Sequence, residues 1–327
     1  MKLSVIVPNY NHGFFINEQI ESIINQTYKC HEIIIIDDKS TDNSVETINK
    51  IIDKYPFIKF VQNKKNIGVF DTLNYGLKIS SGDHIIFPSA DDRMCSNFFE
   101  EASKQFKLYP DAGLFSGLGY QMDKNGKFLN LISSPLISLK SINLTPEKVK
   151  KYLAKYGSWI VSHSMIYNKS SFKKLDIKFN PDLKHFADTY VNLIIALRFG
   201  ACFTPKTLAC WRYYSGYAEQ IFLNESNNHE LLLKFINICN SNQFNESFPK
   251  KFLSDMMKNE KIFYINRKFY FNKQNRFLNF ILIKMILKFF IYIYVYKWEL
   301  IKIFRILWSK RRFKEHYDIK DDLLLRE

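Results

Sequence analysis

The sequence predicts an α/β fold: a sheet of the nucleotide-binding kind, flanked by helices, with a helical appendage at the C-terminal end. Three observations predict it. Strand-like and helix-like patterns alternate through the first 90 residues, which is the mark of parallel βαβ units with right-handed crossovers. One strand-like stretch holds Ile33, Ile34, Ile35 and Ile36 in a row, which suits a parallel strand buried on both faces. The 327 residues are 46% hydrophobic, enough for one large domain and an addition to it.

In order along the chain, residues 3–7 form a short β-rich run that ends in a loop, Pro8-Asn9-Tyr10-Asn11. Phe15, Ile16, Ile20, Ile23 and Ile24 recur at helical spacing within 14–27. The four-Ile strand, 32–36, ends at Asp37-Asp38, and a helix over 41–55 follows. Residues 57–62 are a third strand, and Asn66-Ile67-Gly68 turns into a helix over 69–79. The fourth strand is Ile85-Ile86-Phe87, and its loop carries Ser89-Ala90-Asp91-Asp92. Beyond it, 112–120 reads as a strand and 123–127 as a hairpin turn. Residues 131–144 read as irregular, 146–156 as a helix, and 158–167 as a loosely alternating strand beside a pocket. A further helix opens around Asp188 and runs to Arg198, with Gly200 after it.

Ligands of open α/β sheets gather outside the carboxyl ends of the strands. No Gly-x-Gly-x-x-Gly follows the first strand and no Gly-Lys-Ser/Thr occurs, so the usual glycine-loop routes to phosphate are absent. Phosphate would then need a metal, and hard divalent cations prefer carboxylate oxygens. An isolated Asp91-Asp92 would be only a solvated turn, or Asp92 the cap of a helix near Ser96. Two acidic pairs at the strand ends of one sheet argue otherwise, because clustered like charges repel unless a cation joins them.

Charge is unevenly spread. Residues 1–110 hold 12 Lys+Arg against 14 Asp+Glu, whereas 258–314 hold 15 against 2. A basic block suits nucleic acid, an anionic membrane surface or an anionic substrate. Acidic strand ends speak against nucleic acid. The five cysteines, Cys30, Cys95, Cys202, Cys210 and Cys239, form no Cys-x-x-Cys pair and read as buried thiols of a reducing compartment. Met1-Lys2 runs at once into a strand, too soon for a signal peptide, which predicts a cytoplasmic protein.

Four blocks, Ser4-Val5-Ile6-Val7-Pro8-Asn9-Tyr10-Asn11, Ile36-Asp37-Asp38-Lys39-Ser40-Thr41-Asp42-Asn43-Ser44, Asn66-Ile67-Gly68 and Ser89-Ala90-Asp91-Asp92, resemble the N-terminal half of family 2 glycosyltransferases. The resemblance covers about the first 110 residues. It implies a GT-A fold, a Rossmann-like mixed sheet flanked by helices, and inverting transfer from a nucleotide-sugar donor, a UDP-sugar foremost, with Mg2+ or Mn2+. By the same match, donor-binding falls to Pro8, Asn9, Tyr10, Asp38, Asn66, Gly68, Asp91 and Arg212. Pro8 and Tyr10 would border the nucleotide, Asp38 would read the base, and Asp91 and Asp92 would take the metal. Two departures stand out: Ser89 replaces a common third carboxylate, and Leu73 stands before Asn74 where many members have Arg.

The segment around Asp188 is similar to the family's acidic motif, with Ala187 in place of a Glu; the match implies that Asp188 is the catalytic base, against a plain helix-capping role. Arg212 matches a basic residue after the last strand and would face the diphosphate, unless it is structural. His163 is read as a structural or acceptor-contacting residue rather than the base, with Trp159 beside it as a second possible contact.

The expected division is 1–220 as catalytic domain, with a donor half at 1–110 and an acceptor half at 111–220, and 221–327 as a helical, membrane-associating region. Within the latter, 280–306 is dense in apolar residues yet interrupted by Lys284, Lys288, Lys297, Lys302 and Arg305. No charge-free run there reaches the ~20 residues of a spanning helix. As one helix, its charges other than Lys297 gather in one sector, the pattern of a basic amphipathic helix lying in a membrane interface. The full expectation is an enzyme on the inner face of the cytoplasmic membrane, extending a surface polysaccharide, capsule or lipooligosaccharide on a glycan or lipid-linked acceptor. The competing reading is a degenerate nucleotide-sugar binder or a basic membrane-surface scaffold.

Overall fold

A computed structural model describes residues 1–132, 134–214, 225–241 and 247–258. Residues 1–213 and 226–257 form one compact unit. The strands are β1 Leu3–Asn9, β2 Glu32–Asp37, β3 Lys59–Gln62, β4 His84–Ile86, β5 Arg93–Met94, β6 Leu114–Met122, β7 Phe128–Leu131, β8 Ile142–Leu144, β9 Met165–Asn168 and β10 Ala201–Arg212. The helices are α1 Ile16–Ile24, α2 Ser44–Lys54, α3 Val69–Ile79, α4 Phe98–Leu108, α5 Pro146–Tyr156, α6 Ser170–Leu175, α7 Ala187–Phe199, α8 Glu225–Ser241 and α9 Lys250–Lys258.

All ten strands join one mixed sheet, in the order β3-β2-β1-β4-β9-β6-β10-β5, with β7 added on β6 and β8 on β10. The first four strands pair in parallel, with Val5 opposite Ile33 on one side and Ile86 on the other. Strand β9 then runs antiparallel to both β4 and β6, while β6 and β10 pair in parallel. The reversal has a functional consequence. The carboxyl ends of β1, β2, β4, β6 and β10 share one edge of the sheet, and the segment entering β9 arrives at that same edge.

Period-two packing explains the isoleucine run. Ile34 and Ile36 face one hydrophobic core, with Ile6, Ile85, Leu114 and the apolar residues of α7. Ile33 and Ile35 face the other, with Val5, Val7, Ile16, Ile20 and Phe98. Leu232, Phe235, Phe252 and Leu253 of α8 and α9, within the expected C-terminal region, lie in the first core. Gly76 lets α3 press on β1, since a Cβ there would meet Ile6 Cγ2 at 2.4 Å.

The predicted helix at 146–156 starts where Thr145 caps it and Pro146 opens it, and stops at Gly157, whose φ is +77°. Residues 158–167, expected as one strand, instead split into a 3-10 turn, Ser162–Ser164, and the short β9. Residues 131–144, expected as irregular, include β8, which closes on β10. Among the described residues no helix is long and apolar enough to cross a membrane. The expected basic amphipathic helix at 280–306 lies outside the described residues.

Candidate active site

The carboxyl edge of the parallel strands is built on carboxylates used as braces. Asn9 donates its amide to Asp37 Oδ1 at 2.8 Å and to Ser40 Oγ at 3.2 Å, tying the ends of β1 and β2 together. Asp38 accepts from Asn63 Nδ2 at 2.8 Å, Ile67 N at 2.9 Å and Gly68 N at 2.8 Å, folding the 63–68 loop against the sheet. Gly68, at φ +87°, is the residue that lets this loop turn into α3. Asn9 and Asp38 are thus buried in support, whereas Tyr10, Asn66 and Gly68 are exposed and Pro8 is half-buried.

The Asp91-Asp92 turn follows β4. Asp92 is buried, its Oδ1 accepting from Arg212 N at 2.8 Å and its Oδ2 3.7 Å from His163 Nε2. Burial, and then the charge of Asp91, push its carboxyl well above the usual carboxylate range. Asp91 is more open, with Oδ2 4.0 Å from His12 Nδ1.

Arg212 lies beneath this turn. Its side chain is 1% exposed. Nε donates to Asp91 O at 2.7 Å, Nη1 to Lys124 O at 2.8 Å, and Nη2 pairs with Glu18. The guanidinium also stacks over the Phe15 ring, 4.8 Å from its centre, and Glu18 takes a second arginine, Arg93, at 3.1 Å. The residue expected to face a diphosphate is therefore a brace that knits α1, the carboxylate turn and the 123–127 hairpin. Glu18 and Arg93, which complete it, carry no motif in the sequence.

The third acidic candidate lies on α7. Asp188 sits in the first turn of the helix, half-buried, and Oδ1 accepts from Thr189 N at 2.6 Å. The cap position belongs to Phe186, so Asp188 does not cap the helix. Its charge, after burial, helps to push the phenol of buried Tyr167 well above its ordinary value. His163 stacks on Trp211 at 5.3 Å between ring centres. Trp159, by contrast, is fully buried and packs edge-on against Phe203 at 5.7 Å, which removes it from any acceptor contact.

Two adjacent carboxylates, one buried against the charge of the other, fit a hard divalent cation. Among the described residues no group of three His, Cys, Asp or Glu is arranged to hold an ion by itself.

A mixed sheet with its carboxylate loops on one edge, flanked by helices, is the GT-A architecture. Solved structures share it. Staphylococcus aureus TarS 1-349 in complex with UDP-GlcNAc superposes with a TM-score of 0.59 at 20% identity, over 85% of this chain and 75% of that one. The Pyrobaculum calidifontis mannosyltransferase PcManGT, in complex with GDP-Man and Mn2+, superposes at 0.56 and 16% identity, over 78% and 69%. Residues 4–176 match the family described as glycosyl transferase family 2, and the chain belongs to that family. It is a glycosyltransferase by class. An uncharacterized glycosyltransferase of Haemophilus influenzae is 30% identical over 56% of this chain and 67% of its own length. The poly(ribitol-phosphate) beta-N-acetylglucosaminyltransferase TarP of S. aureus is 41% identical over 31% of each chain. The match to TarP thus spans about a third of that relative.

Proposed function

We propose that this chain transfers a sugar, with inversion, from a nucleoside-diphosphate sugar to a hydroxyl of a glycan or lipid-linked acceptor in surface-polymer synthesis. One observation supports the reading: Asp92, after β4, stands 3.7 Å from His163 Nε2, and Ser162 in the same turn accepts from Asn192, one helical turn from Asp188. In this reading the donor-side carboxylates stand opposite the acceptor-side one, as a single displacement requires. A UDP-sugar is the favoured donor; TarS binds UDP-GlcNAc and PcManGT binds GDP-Man. TarP, named for a poly(ribitol-phosphate) acceptor, supports a surface polymer as the acceptor class.

In this mechanism Tyr10 and Pro8 border the nucleotide, and Asn66 and Gly68 present the loop that Asp38 holds. Asp91 and Asp92 would hold Mg2+ or Mn2+, which would supply a Lewis acid for charge developing on the diphosphate. Asp188 takes the proton of the acceptor hydroxyl, which is a weak nucleophile until a positioned base removes it. The acceptor oxygen bonds to the anomeric carbon as the bond to the diphosphate oxygen breaks on the opposite side, hence inversion. His163 lines the acceptor side beside Asp92, and Arg212 holds the turn from below.

The test is nucleotide release from UDP-glucose, UDP-galactose, UDP-N-acetylglucosamine and GDP-mannose, with Mn2+ or with EDTA. Metal-dependent release from one donor supports transfer. Tight binding of a donor with no release, even with candidate acceptors added, favours the degenerate-binder reading. Membrane association is a separate expectation: removing residues 270–327 moves the protein from the membrane to the soluble fraction, and unchanged partitioning counts against it.

A further inference from the structure

Helix α7 is apolar along its buried face except at one position. Tyr190, Val191, Leu193, Ile194 and Ile195 are buried, and among them Asn192 is 3% exposed. A buried amide is tolerated only when its donor and acceptor are both engaged. Asn192 Oδ1 accepts from the Tyr167 hydroxyl at 2.6 Å, and Nδ2 donates to Ser162 Oγ at 3.1 Å. The first bond reaches β9 and the second the 3-10 turn that leads into it.

What stands at either end gives the bridge its meaning. Asp188 lies one helical turn before Asn192 on the same face of α7. His163 follows Ser162, and its Nε2 stands 3.7 Å from Asp92 Oδ2. The amide therefore links the helix that carries Asp188 to the turn that touches Asp92.

We propose that Asn192 is a positioning residue for transfer: its two hydrogen bonds set the separation between the acceptor-side carboxylate and the donor-side carboxylates. The proposal rests on the reading of Asp188 as base. In-line displacement holds base and leaving group on opposite sides of one carbon, and an error of about 1 Å costs on the order of 100-fold in rate. Tyr167 and Asn192 are both buried, away from solvent and bound substrate, so the expected loss falls on kcat.

Asn192→Leu keeps the volume and removes both bonds; Ser162→Ala removes one and leaves the packing of α7 intact. The measurements are kcat and KM for nucleotide release from the panel donor that the wild-type protein turns over, and calorimetric Kd for UDP with Mn2+. In Asn192→Leu, kcat falls roughly 10- to 100-fold while UDP Kd and donor KM stay within about 2-fold. In Ser162→Ala the fall is smaller, and adding it to Asn192→Leu costs nothing further, because the two act through one bond. Wild-type kcat in both single variants, or a matching loss of UDP affinity, overturns the proposal. Should Asn192→Leu not fold, the pair Ser162→Ala/Tyr167→Phe removes the same two bonds and decides in its place. Wild-type turnover in Asp188→Asn sinks the base and with it this proposal, even where Asn192→Leu is slow. The reverse pattern sinks the bridge alone.

Discussion

Both edges of the sheet bury a carboxylate, and the two are shifted in opposite directions. At the amino edge Glu32 accepts from Ser4 Oγ at 2.7 Å, Ser81 N at 2.6 Å, Ser81 Oγ at 2.8 Å and Lys59 Nζ at 2.7 Å. Burial alone would raise its carboxyl, but Lys59 and the serine donors outweigh it and hold Glu32 at about 2. At the carboxyl edge Asp92 is as buried, has one backbone donor at 2.8 Å, and faces the charge of Asp91. Equal burial with different company separates a prop from a binding group. A fully partnered carboxylate locks strands; one set against a like charge gains as an ion when a cation joins it.

The comparison is broken most forcefully at the carboxyl edge. Asp188→Asn lowers transfer by roughly 10²- to 10⁴-fold, the span of a lost general base, with UDP affinity in Mn2+ unchanged. Asp92→Ala abolishes metal-stimulated nucleotide release; retained Mn2+ dependence would show that the metal is held elsewhere. At the amino edge the outcome inverts. Glu32→Gln leaves kcat alone and lowers stability by about 1–3 kcal/mol, read as a shifted urea midpoint, because the buried donors lose a charged acceptor. Since the folded-state value of Glu32 is depressed, its contribution is present above about pH 4.3 and is lost as pH falls towards about 2, so the variant's acid unfolding limb is flatter. Mn2+ alone raises the thermal midpoint of the wild-type protein and leaves that of Asp92→Ala unmoved. Trp159→Phe, the smallest change, leaves acceptor KM within about 2-fold, as suits a core residue.

The parallel half was legible because burial on both faces leaves a compositional trace, and the Ile33–Ile36 run is that trace. Its strand-end loops were legible because the acidic pairs fall where the apolar runs stop. The direction of β9 was not, since neither composition nor period distinguishes a parallel from an antiparallel short strand; so the edge on which His163 arrives was hidden. Between a diphosphate-facing and a structural role for Arg212 the sequence does not choose, because its partners are mostly backbone oxygens, of Asp91, Asp123 and Lys124, which any sequence offers equally. Trp159 and His163 stand four residues apart, yet the intervening turn sends one into the core and the other to the site. Asn192 had a signal that went unused: an amide inside a run of buried apolar helix positions asks for partners.

The Arg212 brace also orders events in time. Its bonds to Asp92 and Asp91 close loops of 120 and 121 residues, and its pairing with Glu18 one of 194. Closing such loops is slow relative to local pairing. On a ribosome, the βαβ units at the start of the chain are complete long before Arg212 is made. A nascent chain therefore carries the sheet and its acidic turn without the clamp that fixes the turn, and the site matures only when β10 slides in beside β6.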